Sequence, residues 1–400
     1  MARVLMLTPY LPYPPVSGGR KGTFDLVAWL AKHGYEVTLV CFGRPEEQQF
    51  DVSPVYELCE MIVIDRPSSP SVTRAALMTL TGIRPITMRL YHTPEYQATI
   101  ARLLDERAFD VIHVESFYMM QHIPAGNEVP ILMSEPAIEH VVWWRHAKVA
   151  NPIHQRPGIA IEALKMRLFE PRAWGRADMI RVLSDVDAEY VHRMVPGVPT
   201  RIIPHGVDVE YFHRGPGDRA HAKAIYVGDY KYFPNADAAR YFIESIMPHI
   251  RAECPEFELV LVGKDPTPAM VAAGKDPNSG VIVTGLVDDL RPYLTEATVF
   301  VCPIRSGSGI RNKLMEAAAC ELPVVTTTIG SEGLNPIDGE HMLLADTPED
   351  FANAVLRVIN DTALAERLAR QSRKWVVSQY SHHHGAAAVA VVYDELLDRR

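Results

Sequence analysis

The stretch from Pro303 to Leu334, PIRSGSGIRNKLMEAAACELPVVTTTIGSEGL, concentrates the residue types with the most obvious chemistry. An apolar strand (Val299, Phe300, Val301) enters a glycine-rich turn, Ser306-Gly307-Ser308-Gly309, and a helix is expected from about Ile310 to Cys320. Ile310, Leu314 and Ala317/Ala318 recur at spacings of three and four, the inward stripe of such a helix. Its first turn also carries Arg311 and Lys313. A helix N-terminus is the positive end of the macrodipole and favours acids there by roughly 0.3–1 kcal/mol per charge. Two bases at that end, beside free amides and glycines that permit close approach, call for an anion, and phosphate is the usual one. The plainer alternative is a surface loop with a Lys313–Glu316 pair one turn apart.

Other turns repeat the pattern more weakly. After the first apolar strand, Ser17-Gly18-Gly19-Arg20 opens a helix whose amides could approach a phosphate; it is not the GxGxxG dinucleotide fingerprint. Val227-Gly228-Asp229 leads into Pro234-Asn235, where Asn235 suits both a helix cap and a ligand site at a strand's carboxyl end. Val262-Gly263-Lys264 and Gly285-Leu286-Val287-Asp288-Asp289 also follow strands, and could offer backbone groups to a flat base. His113, expected to end the strand Asp110–His113, and His140, at a helix start, could face a ligand; a lone histidine there is more often structural. His382-His383-His384 lacks partners at metal-ligand spacing, and no GxSxG, HExxH or Walker A motif is present.

These turns need elements to hold them. Short apolar strands alternate with amphipathic helices, the pattern of a parallel sheet covered on both faces. Strands are predicted at 4–7, 36–42, 61–64, 110–113, 130–133, 179–183 and 201–203, then at 224–227, 258–262, 281–284, 298–301, 323–326 and 342–345. Helices are predicted near 22–32, 94–106, 138–148, 160–174 and 185–194. In the second half they fall near 236–251, 290–296, 310–320, 348–360, 363–379 and 386–399. Residues 68–92, with prolines, Gly82 and spaced arginines, are ambiguous and could form a helical excursion. The polar, turn-rich stretch Pro204–Ala220 breaks the pattern. The chain therefore divides into domains at 1–205 and 222–379, a linker at 206–221, and a terminal helical segment at 380–400. Two doubly wound α/β domains facing across a cleft would place ligands at the carboxyl ends of the strands.

The chain has 400 residues, 48% hydrophobic and 22% charged, with a net charge of −9, which excludes a general nucleic-acid binder. Between residues 143 and 181, however, eight Lys/Arg face three acids, a basic segment suited to peripheral membrane contact or an anionic acceptor. Five scattered cysteines suit a reducing cytoplasm. The N-terminus reads as a first strand and not a signal peptide, and no run reaches ~18 apolar residues. A cytoplasmic protein, peripheral at most on the inner face of the plasma membrane, is the expectation.

In order along the chain, Ser17-Gly18-Gly19, Phe109–His113, Pro204-His205-Gly206-Val207-Asp208, Gly228 with Pro234-Asn235, Thr284-Gly285, Val287-Asp288-Asp289, Gly307-Ser308-Gly309, Lys313–Ala317 and Glu332-Gly333-Leu334 resemble glycosyltransferase family 4. These are retaining nucleotide-sugar transferases of GT-B fold, and the bacterial exopolysaccharide-associated transferases are the most similar subgroup. The resemblance implies a GT-B architecture with the C-terminal helix returning to the N-terminal domain. It puts Gly18 and Gly19 beside the donor diphosphate, Glu316 on the ribose hydroxyls, Leu286 and Val287 on the nucleobase, and Glu332-Gly333 along the donor. Asn235, Gly263, Gly307, Ser308 and Gly309 complete the expected donor site. The chain departs from the family pattern at Ser308, where a glutamate is usual, at Asp229 for arginine, at Pro136 for histidine and at His205 for asparagine.

The expected activity is transfer of a hexose-type sugar from a nucleoside diphosphate to a glycan or lipid-linked acceptor, with retention, in bacterial polysaccharide biosynthesis. Neither a cofactor nor a metal is expected. Arg311 and Lys313 are the candidate catalytic cations, stabilising charge on the departing phosphate. His113 or Glu139 is the candidate group on the acceptor side. The alternatives are a nucleotide-binding scaffold that has lost transfer and a UDP-sugar 2-epimerase, which would need acids and bases around C2 of the sugar.

Overall fold

Strand β1 (Arg3–Thr8) shows how the first half is built. Val4 and Met6 point to one side, Leu5 and Leu7 to the other, and all four are fully buried. A strand with two apolar faces belongs to a sheet covered on both sides. The computed structural model, which describes residues 2–15, 18–47, 49–150, 152–307 and 309–398, bears this out.

β1 joins β2 (Glu36–Gly43), β3 (Glu60–Asp65), β4 (Val111–Glu115), β5 (Ile131–Glu135), β6 (Met179–Val182) and β7 (Thr200–Ile202) in a parallel sheet of order β3-β2-β1-β4-β5-β6-β7. One core layer gathers Leu5, Leu7, Val40, Phe42, Ile112 and Val114 against Tyr96, Phe117 and Trp174. The opposite layer packs Val4, Met6, Leu39 and Leu132 against Leu26 and Leu30 and against Val389, Tyr393 and Leu396 of the C-terminal helix, His382–Leu397. That helix therefore returns to the first half of the chain, as a GT-B architecture requires.

A second parallel sheet has the order β10-β9-β8-β11-β12-β13, from β8 (Lys223–Val227), β9 (Glu258–Val262), β10 (Val281–Gly285), β11 (Val299–Cys302), β12 (Val324–Thr326) and β13 (Leu343–Leu344). By chain contacts the molecule forms two units. One holds residues up to His205, the segment 308–310 and the chain from His383; the other holds Gly206–Gly307 and Arg311–His382. The segment after Gly206 is tied into the second unit, where Arg219 donates to the carbonyls of Ala297 and Glu321.

All thirteen predicted strands are present among the described residues, with no end moved by more than two positions. The helices need more correction. The single helix expected at 236–251 is Phe233–Tyr241, a π-helical turn at Phe242–Ile246, and Met247–Glu253. Pro248 has no N–H to donate and its ring crowds the preceding turn, so the ladder is interrupted there. The ambiguous stretch resolves into Val72–Thr81 and Ile86–Leu90, and Pro268–Lys275 is an unpredicted helix capped by Thr267. The helix expected from Ile310 begins at Asn312, because Arg311 is extended (φ −98°, ψ 95°) and serves as its N-cap residue.

Candidate active site

In each sheet the strand order reverses at one place: between β1 and β4 in the first, between β8 and β11 in the second. The loops leaving such neighbouring strands diverge and open a crevice at their carboxyl ends, where ligands of open α/β sheets bind. Gly18 and Gly19 follow β1, and Asn235, Gly307, Arg311 and Lys313 follow β8 and β11, so these candidates fall at the two reversals; each unit is described by itself.

In the second unit, β8 runs into Gly228 and the helix Phe233–Tyr241, while β11 runs into the glycine turn and the helix Asn312–Ala319. Lys313, in the first turn of the latter, donates from Nζ to Asn235 Oδ1 at 2.7 Å and lies 4.6 Å from the centroid of the Tyr226 ring. Asn235 is held in turn, its Nδ2 donating to the Asp229 carbonyl at 2.9 Å and its Oδ1 accepting from Tyr226 Oη at 3.1 Å. Burial lowers the Lys313 ammonium to about 8, with the nearby Arg311 cation adding to the effect. Arg311 is itself buried. Gly307 turns at φ +108°, and a side chain there would meet Arg311 Nη2 at 3.1 Å, so only glycine lets the turn close over that guanidinium. Two cations thus share a desolvated corner, an arrangement that favours a bound anion.

The remaining donor-side candidates ring the same sheet end. Gly263 follows β9 at φ +139°, and a Cβ would come within 1.8 Å of the Gly228 carbonyl oxygen, so the turns after β8 and β9 are in contact. Leu286 and Val287 follow β10, with the Leu286 side chain exposed as an apolar surface. Glu316 lies one turn along from Lys313, partly exposed and close enough for its charge to raise the lysine's pKa. Glu332 and Gly333 follow β12, Gly333 at φ +85°. Ser308 and Ser17 lie outside the described residues. Gly309, at φ +81°, groups with the first unit, beside the Pro136 carbonyl.

Sequence reasoning missed the partners that lock this corner. Tyr226 gives Lys313 its aromatic face, and Arg305 makes a two-pronged pair with the buried Asp237 (Nη2 to Oδ1, 2.9 Å; Nε to Oδ2, 3.2 Å) while lying 4.0 Å over the Tyr241 ring. Arg305 stands inside the stretch that drew attention, two residues before Gly307. Its partner Asp237 is 68 residues away in sequence, so no local spacing could signal the pair.

In the first unit, Gly18 opens the helix Gly18–Lys32 after β1, and Gly19 lies beside the Tyr10 hydroxyl. His113 corrects the sequence expectation. It is the middle residue of β4, not its end, because the strand continues to Glu115. Its ring is fully buried, with Nδ1 2.6 Å from Tyr393 Oη and Nε2 2.6 Å from Ser134 Oγ. Burial pulls it down to about 3, so it is a neutral core histidine with no exposed surface for an acceptor. His140 is likewise engaged, bonding Glu170 through Nδ1.

Glu139 is different. It opens the helix Glu139–Val149, keeps partial exposure, accepts from Trp143 Nε1 at 3.1 Å, and is pushed up by burial to about 7. Beneath it stand two buried carboxyls that sequence reasoning did not single out. Glu135 ends β5 and accepts from Trp174 Nε1 at 3.0 Å and Phe117 N at 3.2 Å; Glu170 accepts from the His140 backbone. Both are held well above the usual carboxylate range, by burial first and then by a neighbouring carboxylate. At the β1/β4 reversal Glu115 is also raised, to about 7, by burial. Glu139 alone among these four is not buried.

Comparison with known proteins agrees with this layout. A profile described as "Glycosyltransferase Family 4" matches residues 16–211, and one described as "Glycosyl transferases group 1" matches residues 221–361. The chain is 18% identical to an "Uncharacterized 44.6 kDa protein in cps region" of Klebsiella pneumoniae, over 95% of this chain and 97% of that one. Its fold is similar to sucrose-phosphate synthase from Thermosynechococcus elongatus, with TM-score 0.76, 20% identity and all of both chains covered. It is also similar to Anabaena Alr3699/HepE in complex with UDP-glucose, with TM-score 0.69, 13% identity, 99% of this chain and 100% of that one covered.

Proposed function

The chain belongs to the family 4 glycosyltransferases, and from that premise we propose that it moves a hexose-type sugar from a nucleoside diphosphate to a glycan or lipid-linked glycan, with retention at the anomeric carbon, in polysaccharide assembly. The observation that carries the reading is the Lys313–Arg311 corner: two cations, one lowered by burial to about 8, at the strand-order reversal of the second sheet. The similarity to a fold that holds UDP-glucose in HepE supports a nucleotide-sugar donor, and the cps-region relative supports polysaccharide assembly.

In the proposed reaction the bond between sugar C1 and the β-phosphate oxygen breaks, and negative charge grows on the departing diphosphate. Arg311 and Lys313 stabilise that charge without having to reorganise, because their positions are fixed before substrate arrives. The acceptor hydroxyl oxygen bonds to C1 from the face the phosphate leaves, and its proton passes to the departing phosphate oxygen. Glu139 orients the acceptor. Gly18 and Gly19 border the diphosphate, Glu316 takes the ribose hydroxyls, and Leu286-Val287 lies along the base. Side chains supply the positive charge, so a chelator leaves the rate unchanged. The protein works at the inner face of the membrane, held there peripherally by its basic segment.

The test is to incubate the purified protein with UDP- and GDP-hexoses and lipid-linked acceptors, and to follow product and anomeric configuration by NMR. Transfer with retention is expected. Nucleotide binding without transfer or donor hydrolysis would replace this reading with a scaffold, and acceptor-free conversion of UDP-N-acetylglucosamine would replace it with an epimerase.

A further inference from the structure

The helix Val72–Thr81 is inside out. Of its ten residues only Thr79 is buried, at 7% exposure, while Val72 (76%), Leu77 (59%) and Leu80 (74%) face solvent, followed by Ile83 (84%). A surface helix ordinarily buries its apolar stripe and shows its polar one. The helix on which it rests, Arg156–Trp174, repeats the inversion: Ile161, Leu164 and Leu168 are exposed, whereas its two acids, Glu162 and Glu170, are buried. The two helices are fastened by Lys165 Nζ, which donates to the Thr79 carbonyl and to Glu162, while Glu162 also accepts from Ile86 N of the next short helix at 2.7 Å. Met166 and Trp174 of the supporting helix join the core, yet on this outer face the polar contacts point inward and Leu77, Leu80, Ile161, Leu164 and Leu168 are left outside.

The charge around this patch has one sign. From Arg66 to Thr93 the chain carries four arginines and no acid, on a protein whose net charge is −9. Arg74, Arg84 and Arg89 are exposed there, as are Arg167 and Arg172 on the supporting helix and Arg176 just past its end. Arg84, Arg172 and Arg176 line one cavity of about 300 Å³ together with His92 and Gln121, whose buried Nδ1 and Oε1 have no hydrogen-bond partner among the described residues. Arg84 is the neighbour of Ile83 in sequence, and Arg172 lies one turn beyond Leu168, so the cavity joins the two apolar stretches.

We propose that this face is a docking surface for an anionic phospholipid bilayer: Leu77, Leu80 and Ile83 enter the acyl boundary while the surrounding arginines meet headgroup phosphates. Apolar side chains ringed by arginine are what an interfacial helix needs, and among the described residues no helix is long and apolar enough to cross the membrane. A second copy of the chain fits the face poorly, since a twofold contact would set arginine against arginine. The inference deepens the peripheral-membrane part of the proposed function, and moves the contact from the basic segment alone to a surface centred on the helix Val72–Thr81.

The experiment is flotation of the full chain with phosphatidylglycerol vesicles and with phosphatidylcholine vesicles. Binding to the first and little to the second is expected, weakened by added salt because the attraction is screened. The variant Leu77→Ser/Leu80→Ser/Ile83→Ser, at solvent-facing positions, and the variant Arg84→Glu/Arg172→Glu should each lose at least tenfold in vesicle affinity while keeping the wild-type Tm. Donor hydrolysis in vesicle-free buffer should be unchanged in both, which separates failure of this surface from failure of the transferase reading. Wild-type affinity in both variants, no binding by the wild type, or a wild-type dimer that the serine variant breaks would each overturn the proposal.

Discussion

Lys313 Nζ and Asn235 Oδ1 stand 2.7 Å apart and join the first turns of two helices, one leaving β8 and the other leaving β11. The amide oxygen solvates the ammonium without neutralising it. A carboxylate there would form an ion pair and use up the charge; a neutral acceptor leaves the cation available to a phosphate. The Tyr226 ring acts in the same sense, attracting the cation without a formal charge.

Replacing Lys313 by Ala should cut kcat/KM for the donor by about 10²-fold or more, the scale for removing one preorganised transition-state donor. The measurement is initial rate at limiting nucleotide sugar, with circular dichroism to confirm folding. Near-wild-type turnover would remove Lys313 from the reaction.

The pH dependence follows from the same residue. With its pKa lowered from 10.5 to about 8, Lys313 is charged below pH 8 and neutral above it, so kcat/KM should fall as pH rises through about 8. In Lys313→Arg, whose guanidinium stays protonated, that alkaline limb should disappear even if the maximal rate is lower. A wild-type profile flat from pH 7 to well above 9 would contradict the assignment.

Asn235→Asp tests the neutral acceptor. The new carboxylate should hold Lys313 in an ion pair, raise its pKa and compete with the diphosphate, so donor KM should rise about tenfold or more, a change near 1.4 kcal/mol. The alkaline limb should move to higher pH at the same time. A double-mutant cycle with Lys313→Ala should show strong non-additivity, since the residues are in contact.

The sequence carried the framework well because strands buried on both faces announce themselves as short apolar runs, and both sheets are made of these. The glycine turn and the bases after it were legible for a similar reason: unusual residue types stood within one local segment. His113 was misplaced by its strand end. Two more residues of β4 were missed because the polar His113 interrupts the apolar run before Val114 and Glu115 is charged. Glu135, Glu170 and Asp237 were invisible because a buried carboxyl is recognised only by its partners, and these come from distant parts of the chain. The helix Val72–Thr81 was ambiguous because its apolar residues do not serve the core.

Glu135 makes a prediction about stability. Its folded pKa is raised well above 4.5, so the native state keeps a proton that the unfolded chain releases. That contribution is fully present below about pH 4.5 and is lost as pH rises. Glu135→Gln keeps an acceptor for Trp174 Nε1 and removes the titration. The wild-type Tm should therefore fall more steeply between pH 5 and pH 8 than that of the variant. Parallel Tm curves would show that Glu135 ionises freely.

Gly263 joins stability to the site. Its φ of +139° is open only to glycine, and a Cβ would sit 1.8 Å from the Gly228 carbonyl oxygen, so Gly263→Ala must push apart the turns after β8 and β9. The expected cost is about 3 kcal/mol, from backbone strain and from a clash with main chain that cannot rotate away. Gly228 in turn lies against the Asn235 side chain, so the displacement should reach the acceptor of Lys313. Denaturant unfolding should show the lower stability, and donor affinity measured on the folded fraction should fall as well. Gly263→Ala with the wild-type midpoint would mean that the two turns do not touch in solution. A lower midpoint with unchanged donor affinity would mean that Asn235 holds its position without help from Gly228.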